Sequence, residues 1–219
     1  MLSNQQAEVM LSLQGAMNSK VDPDWVAAQY PYLRAVVIEG SEAIEHHGWK
    51  WWKKQDKDLA QLQMELIDIW HFILSEILLS NDGDESTSLT QLNLLLDKAE
   101  SLDELSFDSQ TYSLSEMDLI SKLELLIALS ASRRIELSVF ASILSDCEMD
   151  WTDLYCQYVG KNVLNFFRQD HGYKEGSYLK MWEGREDNEY LVDIMGQLDP
   201  ADPDYQGKVY SALSEHYPS

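Results

Sequence analysis

Residues 59–80 read LAQLQMELIDIWHFILSEILLS, a run too long for a strand and apolar around nearly its whole circumference. Such a run predicts a buried helix starting after Asp58, which can cap it through Gln61, and stopping near Ser80 at the turn-rich NDGDESTS. Two carboxylates, Glu65 and Asp68, interrupt the run three residues apart, and His71 follows at the same spacing. A buried acid costs several kcal/mol unless something compensates it, so these positions require a partner.

Helical periodicity continues on both sides of this segment. One helix is predicted over about 4–19, closed by VDPDW. A second runs from Pro31, a good first-turn residue, to Gly48, a good residue just beyond a helix end. Further helices are predicted over about 114–132, 136–147, 151–171 and 187–195, and, after the break LDPADPD, from Tyr205. Alternating strand-like runs are scarce, and no Asn-Gly or Asp-Gly dipeptide joins two of them. The fold class is therefore all-α, a multi-helix bundle, in a single domain spanning 1–219. Residues 81–115, rich in Ser, Asp and short leucine runs, read as a variable helical insertion.

Composition bounds the function. With 45% hydrophobic residues, seven Trp and eleven Tyr, the chain can build a sizeable core. Sixteen basic against 38 acidic residues give a net charge of −22, which argues against nucleic acid and anionic membranes as partners. No stretch reaches the roughly 18 uninterrupted apolar residues of a membrane span, and no leader pattern opens the chain. Two cysteines, Cys147 and Cys156, form no framework and no CxxC, so the expected compartment is the reducing cytoplasm.

The chemistry lies in spacing. Positions three apart share a helix face, so EGSE aligns Glu39 with Glu42, and ELID aligns Glu65 with Asp68. A short loop favours antiparallel neighbours and faces the two pairs across one small space. Four carboxylates there repel one another strongly unless hard cations such as two or more Mg²⁺ ions join them. Each pair alone also fits an ordinary solvated face. Di-iron sites require Glu-x-x-His on two helices; only Asp68-x-x-His71 approximates one, so iron is the weaker choice. A lone histidine in an apolar helix is more often a core residue than a ligand, and His71 is read that way.

Cations gather in two stretches: Lys50, Lys53, Lys54 and Lys57, and then Lys161, Arg168, Lys174, Lys180 and Arg185. Lys161, Asn165 and Arg168 form one helical stripe that leads into QDHGYKEGSY, a combination suited to phosphate oxygens. GWKWWKK offers either tryptophans packed under ordinary surface lysines or an aromatic wall for a base.

Taken together, EGSEAIEHHGWKWWK, ELIDIWHFILS and GKNVLNFFRQDHGYKEGSYLKMWEGREDNEYL closely resemble the dimeric all-α dUTPases of the all-α NTP pyrophosphatase superfamily. MLSLQGAMN is similar to that family's first helix, whereas 81–115 matches nothing recognisable. The resemblance implies a homodimeric, Mg²⁺-dependent dUTP/dUDP pyrophosphohydrolase that closes over its nucleotide. It implies that Glu39, Glu42, Glu65 and Asp68 are metal-binding, catalytic acids. It further implies that Gln14 and Asn18 read the uracil edge, and that Trp49, His71 and Phe72 surround base and deoxyribose. Lys161, Arg168, Tyr173, Lys174 and Asn188 fall in its phosphate- and substrate-closing segments. Two other readings stay open: a relative acting on dCTP or a modified nucleotide, and a non-catalytic nucleotide-binding regulator. A purely structural acidic bundle would leave the grouped cations unexplained.

Overall fold

The structure, a computed structural model, describes residues 2–199, 202 and 204–218. Three residues of the break LDPADPD (200, 201 and 203) lie outside the described set. Ten α-helices account for most of the described chain, so the fold is all-α as the periodicity predicts.

The helices begin and end where their local chemistry directs. Helix α1 (Asn4–Val21) opens on a reciprocal capping box between Ser3 and Gln6. One turn, α2 (Trp25–Ala28), leads to α3 (Tyr32–His47), which follows Pro31 and stops at Gly48, whose φ of 82° is costly for other residues. Helix α4 (Leu59–Ser80) is capped by Asp58, which accepts from the Gln61 N–H at 3.1 Å. Its faces are filled by Leu62, Leu66, Ile69, Trp70, Ile73 and Ile77, all essentially inaccessible, and it forms the molecule's central rod. Trp70 stacks on Phe140 at 5.4 Å and directs its indole N–H to the Met10 sulfur at 3.3 Å.

Residues 81–115 fold as α5 (Glu85–Ser101) and a hairpin, β1 (Glu104–Phe107) with β2 (Gln110–Ser113). Helix α5 packs on α1 and seats Leu92 and Leu96 in the common core. The hairpin is unannounced by an Asn-Gly or Asp-Gly pair because Asp108 and Ser109 themselves adopt the left-handed φ values, 49° and 63°, that its two-residue turn requires. The remaining helices are α6 (Leu119–Ala131), α7 (Leu137–Asp146), α8 (Trp151–Asp170), α9 (Asp187–Met195) and α10 (Tyr205–His216). A two-residue ribbon, β3 (Met181–Trp182) with β4 (Arg185–Glu186), joins α8 to α9.

Helix α3 lies against α4 on one side and α6 on the other. The α3–α6 approach depends on Gly40, where a Cβ would come within 2.9 Å of Ile127 Cγ1 on α6. That glycine lies between the two acids of EGSE, so the closeness of the packing helps fix where Glu39 and Glu42 stand.

Candidate active site

Glu39 and Glu42 from α3 meet Glu65 from α4 with carboxylate oxygens all within 4.8 Å of one another, the one such acidic group among the described residues. Glu39 and Glu65 share a hydrogen bond. Burial, and then the charge of nearby Asp68, push each carboxyl up to about 7. Glu65 Oε1 also lies 3.3 Å from His46 Nε2, and Asp68 Oδ2 lies 3.3 Å from Lys161 Nζ. A divalent cation fits this cluster: its three converging side chains are hard oxygen donors with no thiolate, and their mutual repulsion is what such an ion removes.

Asp68 also lines a cavity of about 420 Å³ bounded by α1, α4 and α8. Met17, Trp25, Tyr32 and Phe72 supply its apolar wall, while Gln14, Asn18, His71 and Ser75 supply its polar end. These polar groups form one network. Gln14 Oε1 lies 2.8 Å from His71 Nδ1 and accepts from the Tyr158 hydroxyl at 3.0 Å. Gln14 Nε2 donates to Ser75 Oγ at 2.8 Å and to Asn18 Oδ1 at 3.0 Å. Two buried atoms on cavity-lining residues, Asn18 Nδ2 and His71 Nε2, have no partner. Leaving such groups unpaired costs about 1–3 kcal/mol each, which a ligand offering the complementary donor and acceptor would recover. Burial, with the Lys161 charge, pushes His71 down to about 3, so its imidazole is neutral near pH 7.

The opposite wall carries Asn165, Arg168 and Tyr173. Arg168 is engaged within the protein: Nε and Nη2 donate to the two oxygens of Asp187 at 2.8 Å each, and Nη1 donates to Asn165 Oδ1 at 3.2 Å. Asn188 Oδ1 accepts a longer bond from Nη2 at 3.4 Å and stands behind the arginine, outside the cavity lining. Lys161 is buried beside Asp68 and is not among the residues that line the cavity. Lys174 Nζ donates to the Val21 carbonyl at 3.2 Å, tying the glycine-rich loop after α8 to the end of α1.

Trp49 is placed apart from the cavity. It sits on the exposed loop between α3 and α4, against Trp51 and Trp52, and donates to Glu45 Oε1 at 2.7 Å.

Several partners escaped the reading of spacing. Ser75 lies seven residues after Asp68 and Tyr158 three before Lys161, so both extend helical stripes already recognised. His46 follows the acids of EGSE by one turn. Asp187 carries no spacing signal, because the ribbon β3–β4 separates it from Arg168 in the chain.

A model of the dUTPase family matches residues 6–173, more than three quarters of the chain and including 81–115. No curated protein matches the chain. No described helix is long and apolar enough to cross a membrane.

Proposed function

Because the chain belongs to the all-α dUTPase family, a family of dUTP diphosphatases, we propose that it converts dUTP to dUMP and pyrophosphate with Mg²⁺. It also takes dUDP, releasing phosphate, and thereby limits uracil incorporation into DNA. The observation that supports this best is Asp68, whose charge acts on Glu39 and Glu65 of the three-acid cluster while the residue also lines the nucleoside-sized cavity. A nucleotide with its base at the Gln14–Asn18–His71 end extends its phosphates toward those acids.

Glu39, Glu42, Glu65 and Asp68 would hold two or more Mg²⁺ ions, which when bound neutralise phosphate charge and acidify a water. In the hydrolytic step a water oxygen bonds to phosphorus, and the bond to the departing phosphate oxygen breaks. The water proton passes to a carboxylate oxygen of the Glu39/Glu42 pair. Lys161, Asn165, Arg168, Tyr173, Lys174 and Asn188 orient the phosphates and close the loop after α8 over them. Gln14 and Asn18 favour uracil through its donor and acceptor pattern at positions 3 and 4. Trp49, His71 and Phe72 enclose base and sugar, leaving no room for a 2′-hydroxyl. Trp49 reaches the nucleotide only if its loop, or that of a second copy, moves in. The protein would work as a homodimer, which analytical ultracentrifugation tests, and in the cytoplasm, where free thiols such as Cys147 and Cys156 persist.

The test is a nucleotide panel. With Mg²⁺ the protein releases pyrophosphate from dUTP and not from dTTP or dCTP; equal turnover of all the common dNTPs would falsify the uracil assignment.

A further inference from the structure

Arg168 lines the cavity, yet four of its five N–H groups are committed within the protein. Asp187 takes the fork formed by Nε and Nη2, Asn188 the second hydrogen of Nη2, and Asn165 one hydrogen of Nη1. One N–H of Nη1 remains without a partner among the described residues. Asp187 is fully buried in the first turn of α9 and accepts a further bond from the Tyr178 hydroxyl at 2.8 Å. Burial alone would favour a neutral acid, but the bonds and charge of Arg168 keep this carboxyl below its usual range, as an anion.

We propose that Asp187 is a positioning residue: it holds the guanidinium edge-on, so that Arg168 presents one oriented N–H of Nη1 to a substrate phosphate. Two consequences separate this from a free arginine on the cavity wall. The edge suited to gripping phosphate bidentately is already occupied, so Arg168 contributes direction to a single bond. The Asp187 anion also offsets the arginine charge, as Asp68 offsets that of Lys161. Asp187 and Tyr178 lie beyond the segment matched by the family model, so the ribbon and α9 complete a site whose other residues come mostly from α1, α3, α4 and α8.

This inference rests on the nucleotide reading above and is tested on the intact protein with Mg²⁺. Calorimetry compares deoxyuridine, which has no phosphate, with α,β-imido-dUTP, and kcat and KM are measured for dUTP. Asp187→Asn should weaken the imido analogue at least about tenfold, the scale of one charge-assisted hydrogen bond, and leave deoxyuridine within about twofold. Tyr178→Phe, which removes one of the bonds to Asp187, should give a smaller loss in the same direction. If Asp187→Asn does not fold, Tyr178→Phe decides alone. Equal losses for both ligands would mark Asp187 as merely structural and overturn the proposal, as would undiminished affinity for the analogue. A wild-type protein that gains affinity from the phosphates without hydrolysing dUTP would refute the activity and leave the role of Asp187 standing. One that gains no affinity from them would refute that role.

Discussion

Glu65 is the residue on which the acid cluster turns. It faces Glu39, Glu42 and His46 from a helix whose other faces are core, so solvent can screen little of its charge. Replacing it by Gln keeps the shape and removes one anionic ligand. Glu65→Gln should lower turnover by at least about 100-fold, in line with the several kcal/mol a metal centre supplies, while helical circular dichroism holds and the stability of the metal-free protein does not fall. Retained activity would dissolve the proposed cluster. His71 makes a separate claim. With its pKa pushed down to about 3, it binds protons more readily unfolded than folded. Its contribution to stability is complete above about pH 6.5 and is lost as pH falls from there toward 3. Its imidazole NMR signals should therefore stay neutral from pH 8 to pH 5; a midpoint near 6 would mean that the buried network with Gln14 does not exist in solution.

At the scale of elements, the position of α3 depends on a residue with no side chain. Ala is ordinarily the better helix former by about 1 kcal/mol, so propensity predicts that Gly40→Ala stabilises. Contact with Ile127 predicts the reverse. We expect Gly40→Ala to cost about 1–3 kcal/mol in urea unfolding, with reduced turnover, and Ile127→Ala to restore much of both. A stabilised single variant would show that α3 and α6 have room to spare. The same scale explains what the sequence could show. Helices with local punctuation, such as Ser3–Gln6, Asp58–Gln61 and Pro31 to Gly48, were legible to within a residue or two. The β1–β2 hairpin was not, because Asp108 and Ser109 adopt left-handed conformations without the glycine that ordinarily marks such a turn. Glu39, Glu42 and Glu65, which meet across α3 and α4, were legible as members of two helical stripes. The engagement of Arg168 by Asp187 was not, because a contact across a ribbon and a new helix leaves no period in the sequence.

For the whole molecule, the cluster ties stability to metal and pH together. In the metal-free protein Glu39 and Glu65 titrate near 7, above the 4.5 of an ordinary glutamate, so the folded state retains protons that the unfolded chain has released. Their contribution therefore falls as pH rises from about 4.5 through 7, and it stays low above that. His71 acts in the opposite sense, and its losses accumulate below pH 6.5. A divalent cation competes with the shared protons and offsets the burial and repulsion that raised those pKa values, so its stabilising effect should grow over the interval in which the apo protein weakens. At a Mg²⁺ concentration about a hundred times its Kd, linkage gives about 2.7 kcal/mol, which for a chain of this size is a rise in Tm of about 5–10 °C. Thermal melts with Mg²⁺ or EDTA should show a shift of that order at pH 8 and a much smaller one at pH 5.5, where Glu39 and Glu65 are largely protonated. Glu65→Gln should abolish most of the shift at pH 8 while raising the melting temperature measured in EDTA, because it removes a repelling charge. A Mg²⁺ shift of equal size at both pH values, or one that survives Glu65→Gln, would place the cation elsewhere on this acidic surface.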